Sequence, residues 1–148
     1  MVLPLTGGGA LGLSAATQVA CLRESGEVTG KPSELTLLHE PKNLAARRLM
    51  LVGVGHELDA TQAFRLAGQA VRVAQQKKFK RLAIALEDGG LIRALVVGCV
   101  YGGYERPKYK SDDSASPVVE ILIVAPGAYK SAFEAGRSVG ESVNLTLR

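Results

Sequence analysis

The chain has 148 residues, of which 47% are hydrophobic and 22% charged, and its net charge is +4 from 18 basic and 14 acidic side chains. That balance excludes a disordered or fibrous chain, and the length predicts a single domain over residues 1–148 that buries about 70% of its unfolded surface. The basic excess falls short of the clustering of a dedicated nucleic-acid binder, so nucleic acid is not an expected partner.

With seven aromatic residues and no Trp, the core must be built from Leu, Val, Ile and Ala, which pack well between a sheet and covering helices. Val2–Leu5 reads as a short strand and Thr6–Gly9 as a loop. Ser14 suits the N-cap of a helix from Ala15 to about Glu24. Gly26–Ser33 reads as a loop and Glu34–His39, rich in Leu and Thr, as a strand. After the turn at Pro41-Lys42-Asn43, Arg47–Val54 is the clearest strand of the chain.

Asp59 then caps a helix, with Gln62 three residues on completing a variant capping box. Ala63, Phe64, Ala67, Ala70, Val71 and Ala74 form its apolar stripe, while Arg65, Gln69, Arg72 and Gln76 take the opposite face. Lys77-Lys78-Phe79-Lys80 places positive charge at the helix C-terminus, complementing its dipole. Arg81–Leu86 is a second buried strand. Leu91–Tyr104 is a helix apolar nearly all round, which predicts cover on both sides. Glu105–Pro117 is a charged loop, Val118–Ala125 a further strand and Lys130–Leu145 a closing amphipathic helix. Strand and helix alternate from residue 47 onward, which predicts an α/β fold: a mixed, largely parallel sheet with helices on both faces.

Cys21 and Cys99 fall inside predicted helices without Cys-x-x-Cys spacing, the usage of buried reduced thiols in a cytosolic protein. Met1–Leu22 carries no charge, but Pro4 and Gly7-Gly8-Gly9 interrupt it and no basic region opens it, so it does not read as a signal peptide. Ala94–Tyr104, 11 residues, is too short to cross a bilayer, so no membrane is expected.

Catalytic constellations are missing from the sequence. His39 and His56 have no second ligand at helical spacing, and Glu40 and Glu57 beside them point to the opposite side of an extended chain. No Gly-x-Ser-x-Gly elbow appears, and Cys99 in Val-Val-Gly-Cys-Val sits in an apolar setting that keeps a thiol inert. Glu87-Asp88-Gly89-Gly90 reads as dipole partners entering a helix. Gly7, Gly8, Gly9 and Gly12 follow a strand and precede a helix, where backbone amides can cradle a phosphate. They lack the Lys and Ser/Thr of a P-loop, and their likeness to the phosphate loop of macro domains gives only an alternative reading: a stand-alone module binding an ADP-ribose-type ligand. Arg47-Arg48, Lys77–Arg81 and Arg106, Lys108 and Lys110 around Tyr109 are basic patches that support a nucleic-acid-associated domain as a further alternative.

The run Arg47-Arg48-Leu49-Met50-Leu51-Val52-Gly53-Val54-Gly55 resembles the Lys/Arg-Arg-Leu-x-Leu-Val-Gly-Leu-Gly segment of the leucyl (cytosol) aminopeptidases. Gly26–Lys31 with Glu34–Leu38 is similar to the Gly-Lys-x-x-Glu region before that family's second strand. Phe64-Arg65, Ala67-Gly68, Arg72 and Leu82–Leu86 follow in the family's order. Tyr104 with Tyr109-Lys110 is similar to its Tyr-x-x-Tyr-Lys-like run, and Glu141–Leu145, ending at Arg148, resembles the Asn-x-x-Arg helix joining the two domains.

The resemblance implies an N-terminal, non-catalytic domain with a macro-domain-like three-layer fold. It also implies a parent that is a cytoplasmic, hexameric enzyme removing N-terminal residues such as leucine from peptides. The family's two divalent metals (zinc or manganese), their ligands and the catalytic Lys and Arg belong to the following domain, around Asn-Thr-Asp-Ala-Glu-Gly-Arg. Nothing in this chain matches that motif, so no catalytic, cofactor-binding or metal residue carries over, and the expected partner is the catalytic domain. The chain departs from the family at its start, where part of the first strand or strands is not matched.

Overall fold

The computed structural model describes residues 2–6, 9–10, 16–41, 46–86, 88–104, 118–125 and 127–146, with side chains placed for 19–41, 46–86, 88–104, 118–125 and 127–143. The described residues form six strands and four α-helices: Val2–Thr6 (β1), Gly9–Ala10 (β2), Ala16–Glu24 (α1), Leu35–His39 (β3), Arg48–Gly55 (β4), Ala60–Gln76 (α2), Arg81–Ala85 (β5), Ile92–Gly102 (α3), Glu120–Val124 (β6) and Lys130–Thr146 (α4). The strands form one sheet in the order β3-β4-β1-β5-β6, with β2 beside β1. β4, β1, β5 and β6 run parallel, while β3 is antiparallel to β4 and β2 to β1. The expected mixed, largely parallel α/β sheet is the observed one.

β4 explains why the sheet needs cover on both faces. Six successive residues, Leu49 to Val54, are buried. Alternation sends Met50, Val52 and Val54 to one face, where they join Ala63, Leu66, Ala67 and Ala70 of α2 and Leu95, Val96 and Cys99 of α3. Leu49 and Leu51 point the other way and pack with Val19 of α1 and Val28 of the following loop. Burying a side chain of this size is worth about 1.5–3 kcal/mol, so β4 binds two helical layers to one strand.

α2 starts where expected: the Asp59 carboxylate accepts the Gln62 amide at 2.7 Å. Its buried stripe is the one the spacing predicts, with Leu66 added and Phe64 half-buried against Tyr101, ring centroids 5.6 Å apart. α1 corrects one expectation. Cys99 is buried but Cys21 is exposed, because it follows Val19 by two residues and so lies about 200° around the helix from the buried side chain.

α3 lies between α2 and α4 and touches both, as its all-round apolar sequence requires. Glycines set the spacing. A Cβ on Gly98 would stand 2.3 Å from the Phe64 carbonyl oxygen of α2, and one on Gly102 would stand 2.7 Å from the Gly68 Cα. On the opposite side, Gly136 and Gly140 of α4 would press on the Arg93 carbonyl and the Val100 Cβ, each at 2.7 Å. The helices therefore approach backbone to backbone at both interfaces.

The loop before β3 is held by one carboxylate. Glu34 accepts the Gly30 amide at 2.6 Å, the Thr29 amide at 2.9 Å and hydroxyl at 3.1 Å, and the Lys31 amide at 3.2 Å. Gly30 takes φ +77, a conformation suited to glycine, and the Lys31 carbonyl lies where any side chain on Gly53 would have to go. The loop continues the sheet hydrogen bonding: Gly53 N–H donates to Glu34 O at 2.7 Å and Ser33 N–H to Gly53 O at 2.9 Å. This is the physical content of the Gly-Lys-x-x-Glu spacing. Partial burial acts to raise the Glu34 pKa, but the Gly30, Thr29 and Lys31 hydrogen bonds outweigh it and hold the carboxyl below its ordinary value.

Helix propensity alone favours Ala over Gly by about 1 kcal/mol. At Gly98 the backbone clash reverses that sign, so Gly98→Ala is expected to destabilise by about 1–3 kcal/mol in urea unfolding, while Ser138→Ala on the exposed side of α4 stays within about 0.5 kcal/mol. Glu34 contributes stability above the unfolded carboxylate pKa, and that contribution disappears as pH falls through the depressed folded value. Glu34→Gln should therefore cost about 1 kcal/mol at pH 7 and progressively less in acid, read from denaturation midpoints of both proteins at pH 7 and pH 3.

A basic slot between two strand starts as the candidate functional site

The structure separates most of the residues that the sequence offers for chemistry. His39 ends β3 opposite Arg48, whereas His56 follows Gly55 at the far end of β4. At about 3.3 Å per residue they stand roughly 25 Å apart. Both are exposed, as are Glu40 and Glu57 beside them. The Cys99 thiol is pushed up to about 12 by burial, so it stays protonated and unreactive. Asp88 caps a single 3-10 turn, Gly89–Leu91, accepting the Gly90 amide at 2.8 Å. Gly9 lies in β2, registered with Thr6. Gly7, Gly8, Gly12, Glu87 and the Arg106, Lys108, Tyr109 and Lys110 patch lie outside the described residues.

No group of three or more His, Cys, Asp or Glu side chains among the described residues is placed to hold a metal ion. The divalent metals implied for the parent enzyme therefore find no fitting donor set in this part of the chain, and no catalytic step is derived through them. No helix among the described residues is long and apolar enough to cross a membrane.

Two other sequence features do converge. Arg47 precedes β4 and Arg48 opens it, Lys77–Lys80 precedes β5, and the two strands run parallel in one sheet, so both basic runs reach the same sheet end. β1 separates the strands from Val2 onward, registered with Met50 on one side and Ile84 on the other. On the strand-start side of that level, Arg48 and Leu49 are registered with β3, and Arg81, Leu82 and Ala83 with β6. Between the two facing edges lies a cavity of about 860 Å³.

Its inner walls are apolar, from Leu37, Met50 and Leu82 to Ala83 and Leu122. Its rim carries Arg47, Arg48, Lys77, Lys78, Lys80 and Arg81, with Glu120 the one carboxylate among the lining residues. The Arg48 guanidinium lies 4.4 Å over the Phe79 ring, and Arg81 pairs with Glu120 across the β5–β6 ladder. Six cations against one carboxylate is an excess larger than the net +4 of the whole chain. Their convergence was readable in principle: basic runs placed just before two parallel strands of one sheet must share its end.

Residues 6–113 match the family model for the N-terminal domain of the cytosol aminopeptidase family. The "Probable cytosol aminopeptidase" of Solibacter usitatus is 33% identical over 129 residues, which cover 82% of this chain and 27% of that protein. Among solved structures, the bottromycin maturation enzyme BotP in complex with Mn matches with a TM-score of 0.69 at 22% identity, over 95% of this chain and 29% of that one. A leucine aminopeptidase mutant from tomato matches with a TM-score of 0.67 at 22% identity, over 86% and 26%. The chain thus spans less than a third of the length of each of these proteins. The strand-turn-helix unit around β4 and α2, the carboxylate-tied loop before β3 and the family match over residues 6–113 together make this chain a member of the cytosol aminopeptidase family, matched through its N-terminal domain.

Proposed function

We propose that this chain is the non-catalytic N-terminal domain of a cytoplasmic metallo-aminopeptidase, with a structural, assembly or regulatory role. The match to the N-terminal domain, at under a third of each relative's length, carries the reading. In it, the two divalent metals and the residues that hydrolyse the peptide belong to a catalytic domain of the same polypeptide. That domain is the principal partner, within a homo-oligomer of the hexameric kind the family resemblance implies.

The surface supports a role in assembly. β6 is an edge strand, with Ile121 and Ile123 against the core and Leu122 and Val124 about half exposed on the opposite face, at 50% and 51%. Val119 beside them is 76% exposed. Phe133, Val139 and Val143 give α4 a broader apolar arc than α3 covers. Apolar side chains grouped in this way on an edge strand and a terminal helix suit burial against another domain.

The purified 148-residue chain is expected to release no nitroaniline from leucine p-nitroanilide in the presence of zinc or manganese. Metal-dependent turnover that co-purifies with the chain and is abolished by a chelator would overturn the reading.

A further inference from the structure

We propose that the outer face of α4 is a contact surface for a second copy of this chain, with the two α4 helices antiparallel across a two-fold axis. This contact rests on the assembly role proposed above and gives it a partner and a symmetry. α4 carries four charged side chains, Lys130, Glu134, Arg137 and Glu141, and all four are exposed. At 100° per residue they fall within an arc of about 60°, turned roughly 110° from Gly136 and Gly140, which face α3. Along the helix their signs run plus, minus, plus, minus over about 16 Å. Laid antiparallel, that row is its own complement. A two-fold axis between Ala135 and Gly136 sets Lys130 against Glu141 of the second copy and Glu134 against its Arg137, and symmetry repeats both pairs. Laid parallel in register, the row meets like charge with like.

The same row does little for α4 itself. A cation at the first position opposes the helix dipole, and Lys130 with Glu134 and Arg137 with Glu141 both place the cation before the anion, the weaker order for residues four apart. Arg137 and Glu141 stand 3.6 Å apart with side chains 61% and 60% exposed, so each keeps open surface for an outside partner. The flanks agree with the charges. An axis of this kind keeps each flank of α4 on the same side of the pair. Phe133, 40% exposed, then lies about 7.5 Å along the helix direction from Phe133 of the second copy, close enough for the two rings to share a surface. On the other flank, Ser131, Ala135, Ser138 and Ser142 hold no side chain long enough to keep the helices apart. A polyanion would meet two attractive and two repulsive charges on this face, whereas an identical helix satisfies all four.

Sedimentation equilibrium of the full 148-residue chain tests the contact. A monomer–dimer equilibrium with Kd about 0.1 mM is expected at low salt, and about 0.5 M sodium chloride should weaken it. Two double variants keep every charge and change only the order. Lys130→Glu with Glu141→Lys reads minus, minus, plus, plus, which remains self-complementary, and should dimerise within about threefold of the unaltered chain. Lys130→Glu with Glu134→Lys reads minus, plus, plus, minus, which sets like against like, and should weaken dimerisation about tenfold or more. Two further chains carry one sign each: Lys130→Glu with Arg137→Glu, and Glu134→Lys with Glu141→Lys. Each should be monomeric alone, and the mixture should form a one-to-one dimer. All four variants alter exposed side chains only and should melt within about 3 °C of the unaltered chain.

A chain that stays monomeric up to about 0.5 mM overturns the contact. Equal dimerisation by the two charge-conserving variants overturns it too, as does a failure of the one-sign chains to combine. None of these outcomes touches the reading as an N-terminal domain, which falls only to metal-dependent turnover by the chain.

Discussion

Everything in this fold depends on β4 having no solvent face. A strand buried from Leu49 to Val54 must have apolar cover above and below, and the chain supplies it from two directions. The crossover through α2 and back along β5 lays helices over Met50, Val52 and Val54. The segment before β4 brings Val19 and Val28 over Leu49 and Leu51. The helix-borne crossover from β4 to β5 keeps those two strands parallel, each beside β1, while β3, joined to β4 without a helix, pairs with it antiparallel. Gly53 extends the constraint to the loop level. With the Lys31 carbonyl pressed against it, the loop tied by Glu34 becomes an extra length of sheet rather than a free connection.

The helical layer solves a second problem, that of a helix with hardly any polar side. α3 presents Gly98 and Gly102 to α2, and its opposite side to Gly136 and Gly140 of α4. Close approach at both interfaces lets a chain poor in aromatics bury its small aliphatic side chains without leaving voids, since short side chains fill a narrow gap and fail to fill a wide one. The cost is intolerance. The positions that look most dispensable in composition are those where one added carbon meets backbone.

Much of this was legible in the sequence where the signal is local. The uninterrupted apolar run of β4, the Asp59 cap, the stripe of α2 and the all-round apolarity of α3 each name a physical requirement that the structure meets in the expected place. What failed to read through depended on distance. Cys21 is exposed because α1 turns Val19 and the partly buried Leu22 toward Leu49 and Leu51, a phase that nine residues of weak periodicity do not disclose. β6 is as aliphatic as a central strand, and only the sheet order reveals that it is an edge with Leu122 and Val124 uncovered. Likewise, the basic residues at 47–48 and 77–81 read as two solvated patches until parallel pairing puts them around one cavity.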